Sequence, residues 1–203
     1  MRNILLLLAL PLQLLAQHKL PEEKYLCIIS ADKEIYQPGE TPRIIVEIKN
    51  NSAEPLLLAK ALDGSDIKWR FPYAFFTITR IGDTSYTTYF PGRCGNLNDI
   101  RPDDFVEVKP HSTFYPYQVH YPTRPDNIYA YDYKFADPVN FSRPGKYLVR
   151  FYYSTREEDF KKWRGRFYGR EPDPMVYREM LDLFAKVSKL EIESNKLIIE
   201  VKE

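Results

Sequence analysis

DKEIYQPGETPRIIVEIKN, residues 32–50, holds the pattern that decides the fold. In its second half, Arg43 to Asn50, side chains alternate along an extended chain. Ile44, Val46 and Ile48 fall on one side, Ile45 and Glu47 on the other. A period of two marks a β-strand with one buried face. The first half, Asp32 to Glu40, mixes acids, a base, a phenol and a Pro-Gly pair. Pro38-Gly39 fits the centre of a type II turn, where Gly supplies a positive φ. Tyr36 reads as a ring packed over the edge of the same sheet. The stretch is therefore a strand connector. The nearest His in sequence is His18, so its acids have no local partner for acid–base work.

Outward from this segment the strand pattern recurs. YLCIISA (25–31), EPLLLAK (54–60) and YAFFTITR (73–80) precede FVEVKP, STFYPYQV, KYLVRFYYS (146–154) and KLIIEVK. In YAFFTITR, Ala74, Phe76 and Ile78 share one face, and Phe75, Thr77 and Thr79 the other. In KYLVRFYYS, Tyr147, Val149, Phe151 and Tyr153 line one face. About eight short runs separated by Pro, Gly and Asn turns indicate an all-β, antiparallel β-sandwich. One helix interrupts them before the last strand. Asp173 is placed to cap it, Pro174 to occupy its first turn, and Val176, Met180, Phe184 and Val187 to form its apolar stripe. That stripe is expected to pack on the sheet.

The first residues, MRNILLLLALPLQLLAQ, place Arg2 before an apolar run and Ala16 at its end. This is the order of a secretory leader, and the run is shorter than the ~20 residues of a membrane span. The expected organisation is a signal peptide at 1–16, a flexible mature N-terminus at 17–23 and one domain over 24–203. The protein is then exported, periplasmic or extracellular. No Cys stands at the new N-terminus, so a lipoprotein is not expected, and no later run is long enough to span a bilayer. Loss of Arg2 takes Lys plus Arg from 29 to 28, equal to the 28 Asp plus Glu. That balance gives no electrostatic footprint for nucleic acid. In an exported chain, Cys27 and Cys94 are candidates for a disulfide, which would stabilise by roughly 4 kcal/mol. Two separate buried thiols are the alternative.

DKEIYQPGE with RIIVEIKNNSAEPL resembles the opening strands of bacterial immunoglobulin-like domains. Its Asp-Lys-x-x-Tyr-x-Pro-Gly core is similar to the start of macroglobulin-type domains. FSRPGKYLVRFYYS (141–154) resembles the Pro-Gly-x-Tyr turn and penultimate strand of such sandwiches, and SNKLIIEV (194–201) their closing strand. The resemblance implies an immunoglobulin-like sandwich of the kind found in exported bacterial proteins, and no activity. The chain departs from full macroglobulins: it has no Cys-Gly-Glu-Gln thioester, since Cys94 precedes Gly-Asn. The strand pattern is also similar to small bacterial proteinase inhibitors of this fold.

Catalytic groups are sparse. No zinc spacing, CxxC, GxSxG or phosphate loop occurs, and no metal or cofactor is expected. Asp63 and Asp66 in DGSD read as turn-forming, solvated acids. Aromatic groups are abundant. Tyr129, Tyr131 and Tyr133 alternate and would line one face of a strand. Trp163, with Arg164 and Arg166, lies in the excursion before the helix. Such rings and loops can stack on sugars or clasp a protein; the alternatives are that the tyrosines pad the sandwich core or cover an edge, and that Trp163 anchors the long loop to the body. The leading expectation is a non-enzymatic exported module that binds a protein or glycan at the cell envelope. Alternatives are a proteinase inhibitor and a hydrolase using Asp103, Asp104 and His111.

Overall fold

The computed structural model describes residues 23–83, 99–117, 119–120, 129–130, 132–134, 141–164 and 173–203. Their strands are β1 (Tyr25–Ala31), β2 (Ile35–Tyr36), β3 (Arg43–Asn50), β4 (Leu56–Ala59), β5 (Tyr73–Arg80), β6 (Phe105–Val108), β7 (Ser112–Phe114), β8 (Val119–His120), β9 (Tyr129–Ala130), β10 (Asp132–Lys134), β11 (Gly145–Ser154), β12 (Glu191–Glu193) and β13 (Leu197–Val201). Every run expected as a strand contributes one, although STFYPYQV is strand only at Ser112–Phe114 and at Val119, with a turn at Pro116–Tyr117. The expected single helix is α2 (Pro174–Lys186), but a shorter helix, α1 (Phe160–Arg164), precedes it. Both come before β12, so the helical insertion precedes the last two strands, not the last alone.

The chain is mostly β, in two main sheets. In the first, β3 is central. It pairs with β1 along its length on one edge, and with β10 and β7 end to end on the other. In the second, the long β11 is central. It pairs with all of β5 on one edge and with β13 and β12 in succession on the other. All of these pairs are antiparallel, whereas β2 joins β13 in parallel. The pairs β4–β6 and β8–β9 form separate ribbons.

Strand parity explains why the sheets face each other. Ile44, Val46 and Ile48 of β3 are buried in one cluster with Ala74, Phe76 and Ile78 of β5 and Tyr147, Val149, Phe151 and Tyr153 of β11. Each set is one face of a period-two pattern, and burying both faces together removes the largest apolar area from water. Asn195 closes the open edge of β1. Its side chain accepts from the Ile29 backbone N–H at 2.7 Å and donates to the Ile29 carbonyl at 3.2 Å. A single amide thus stands in for a neighbouring strand and satisfies an exposed edge.

The opening connector behaves as its composition requires. The Glu40 N–H donates to the Gln37 carbonyl, and Gly39 has φ +80°. Tyr36 is buried. Its hydroxyl donates to Asp32 at 2.6 Å and accepts from the Lys33 N–H. Burial, reinforced by the Asp32 carboxylate, holds this phenol well above its ordinary pKa. Lys33 pairs with Glu40.

A second apolar cluster lies under the helices. Trp163 and Phe160 of α1 pack with Met180 of α2, Val187, Ala59 of β4, Phe105 of β6, Phe71 and Ile100. Asp173 caps α2 by accepting from the Met175 N–H at 2.8 Å, with Pro174 in the first turn. The buried face of α2 runs through Tyr177, Met180, Phe184 and Val187, whereas Val176 is exposed. Helical periodicity was correct, but the packed face is rotated by one residue at its start. Tyr153 joins the two cores. Its hydroxyl donates to the Ala59 carbonyl at 2.7 Å and accepts from the Ala59 N–H at 3.2 Å.

Candidate recognition groove

The expected site residues do not converge. Trp163 is fully buried, so its ring offers no contact surface. Its indole N–H donates to the Glu157 carbonyl at 3.2 Å, and its ring lies 5.4 Å from that of Phe184. Arg164 lies over the Tyr177 ring at 5.1 Å. Arg166 lies outside the described residues. Tyr129 and Tyr133 fall on different strands: β9 pairs with β8, while β10 joins β3, with Tyr133 opposite Ile44. They therefore do not share one strand face as alternation had implied, and Tyr131 lies outside the described residues. The expected Cys27–Cys94 bridge is not formed in this structure. Cys27 is a free, buried thiol facing the core, where desolvation pushes its pKa up to about 12. Cys94 lies outside the described residues.

Asp103 and Asp104 sit in a 3-10 turn, where Asp104 accepts from the Arg101 N–H at 2.8 Å. His111 lies past the other end of β6, in the turn to β7. Four extended residues, about 13 Å, separate them, so they do not build one site. Asp66 is buried, not solvated as expected for DGSD. Among the described residues no group of three or more His, Cys, Asp or Glu could hold a metal ion.

What the fold does assemble is a groove of about 650 Å³ on the outer face of the second sheet, where β5, β11 and β12 lie side by side. Phe76, Phe151 and Tyr153 point into the core, so Phe75, Tyr152 and Ser154 point out. The register sets Phe75 opposite Tyr152, and Tyr152 opposite Glu193. One residue pair along, Ser154 stands opposite both Tyr73 and Glu191. The Phe75 and Tyr152 rings stack, with centroids 5.1 Å apart and planes 11° apart. The Lys68 ammonium lies 3.9 Å from the Phe75 centroid. Phe71 and Tyr73 stack at 3.8 Å and form a wall, which Trp163 backs at 6.2 Å from Phe71.

The rim is charged and internally paired. Arg156 bonds Glu191 at 3.0 Å, Arg150 pairs with Glu193, and Lys162 bonds Glu157 at 2.7 Å. The Lys162 hydrogen bond lowers the Glu157 pKa, and the bonds to Glu193 and Tyr152 raise that of Arg150. Glu158 adds a further carboxylate. Stacked rings, carboxylate acceptors and guanidinium donors on a rigid sheet suit non-covalent recognition.

Phe75 and Tyr152 carried a legible signal: each is an aromatic on the solvent parity of its strand. Only the β5–β11 register shows that they meet. Trp69, next to Lys68, is 55 % exposed and had no periodic pattern to distinguish it. Comparisons with protein-family models, with curated proteins and with solved structures found no match.

Proposed function

We propose that this chain is an exported, non-enzymatic binding module of immunoglobulin-like topology, recognising a protein or glycan of the cell envelope through the groove on its second sheet. The observation that carries this reading is the stacked Phe75–Tyr152 pair, held on the face turned away from the core and bordered by charged groups. Two aromatic rings left half-exposed on a rigid strand pair are a natural contact surface. The immunoglobulin-like assignment draws support from the pairing of the two strands that carry the family-like motifs, β11 and β13, in the register Gly145 to Val201. Export rests on the leader pattern at 1–16. Among the described residues no helix is long and apolar enough to cross a membrane.

The test is affinity capture from an envelope extract with the wild type and a Phe75→Ala/Tyr152→Ala variant, both verified as folded by circular dichroism. The groove reading expects the captured partner to be lost with the double variant. Equal capture by both proteins would move recognition elsewhere. N-terminal sequencing of the secreted product checks export separately, with Gln17 as the expected first residue.

A further inference from the structure

We infer that the ligand of this groove is a neutral oligosaccharide; this rests on the reading of the groove as a recognition site. The argument is one of charge balance and surface type. Three of the four carboxylates in the lining, Glu157, Glu191 and Glu193, already hold a cation of this chain. To engage those three, a cationic peptide would have to displace Arg156, Arg150 or Lys162, which leaves Glu158 as the one lining carboxylate outside the pairs. An anionic ligand would bring its charge against the carboxylates. Glu158 and Lys68 offset each other beside these three pairs, so the groove carries as many positive as negative groups and its charge favours neither sign of ligand. A hydroxyl-rich neutral ligand meets no such conflict. Each hydroxyl can donate to a carboxylate and accept from a guanidinium or ammonium, so the paired rim serves it from both sides.

The floor supplies the other half of recognition. Phe75, Tyr152 and Tyr73 present apolar ring surface, with the buried Phe71 behind Tyr73, and a pyranose presents a matching face of C–H groups. The negative face of an aromatic quadrupole attracts the slightly positive hydrogens of that face. Lys68, which lies over Phe75, is exposed and on a flexible stem, so it can swing aside and donate to a hydroxyl. At about 650 Å³ the groove is within the range of small-ligand sites.

The test is saturation-transfer NMR and calorimetry on the full mature chain with maltotriose, cellotriose, chitotriose and mannotriose, beside tetralysine and trigalacturonate. The expected result is binding of at least one neutral trisaccharide, weakened at least tenfold by Tyr152→Ala and by Phe75→Ala. Glu191→Gln, at an exposed ion pair, serves where a ring truncation disturbs folding, and a threefold or greater loss is expected there. Silence from all four sugars overturns the inference. If tetralysine or trigalacturonate then binds and the same variants abolish it, the groove remains a recognition site with a charged ligand. If every probe is silent and the double variant also captures normally, both readings fall. Sugar binding that survives all three variants overturns the placement.

Discussion

The tripeptide Lys-Trp-Arg occurs twice, as Lys68-Trp69-Arg70 and as Lys162-Trp163-Arg164, and the fold treats the two copies in opposite ways. In the first, Trp69 is exposed and Arg70 is buried. In the second, Trp163 is fully buried and Arg164 is half-buried over the Tyr177 ring. Backbone conformation makes the difference. Lys68 sits at φ +59°, in a turn where the Trp69 N–H donates to the Gly64 carbonyl, and this turns Arg70 inward. Burial depresses the pKa of the Arg70 guanidinium, and the negative charges of Asp104, Asp63 and Asp99 oppose that depression. The second copy is helical, so Phe160 and Trp163 share a face directed at α2. The copies are also neighbours, since the Phe71 N–H donates to the Lys162 carbonyl at 3.0 Å. Identical chemistry thus becomes core in one place and surface in the other, because local geometry selects which side chain meets apolar partners.

The largest expected effect tests that contrast directly. Trp163→Ala opens a cavity in the second core and is expected to cost about 3–5 kcal/mol in urea unfolding. Trp69→Ala is expected to stay within about 0.5 kcal/mol. Equal costs would erase the distinction. Acrylamide quenching sharpens it further, because only the Trp69 emission should be strongly quenched.

The arginines are expected to reverse the order. Arg70→Ala removes a buried guanidinium whose charge Asp104, Asp63 and Asp99 favour and is expected to cost about 1.5–3 kcal/mol. Arg164→Ala removes a half-buried cation–ring contact worth about 0.5–1 kcal/mol. A larger loss at Arg164 would mean that the buried guanidinium does not organise its loop.

Asp173→Ala removes the cap of the helix that covers Trp163. A loss of about 1 kcal/mol is expected, and an unchanged melting temperature would detach α2 from the stability of the second core.

The smallest effect near neutral pH concerns the first core. Burial raises the Cys27 thiol pKa in the folded chain from 9.0 to about 12. Above pH 9 the unfolded thiol ionises while the folded one stays protonated, so the unfolded state gains and stability falls. The stability of the wild type relative to Cys27→Ala is therefore expected to decline between pH 9 and 12. A difference that stays flat over that range would contradict burial as the cause.

The sequence by itself determined the strands and their inward faces, because a period of two with β-branched and aromatic residues has one economical burial. It also located the Gln37–Glu40 turn, through the positive φ that Gly39 tolerates, and the α2 start, through the cap at Asp173. Tertiary structure decided what periodicity leaves open. Trp163 reads as a loop residue until α1 and α2 close over it, and Tyr129 and Tyr133 read as one face until their strands join different sheets. Phe75 and Tyr152 lie 77 positions apart, and nothing local records that they stack. Their meeting depends on the long-range register of β5 against β11, which is fixed by burial of the opposite face of both strands.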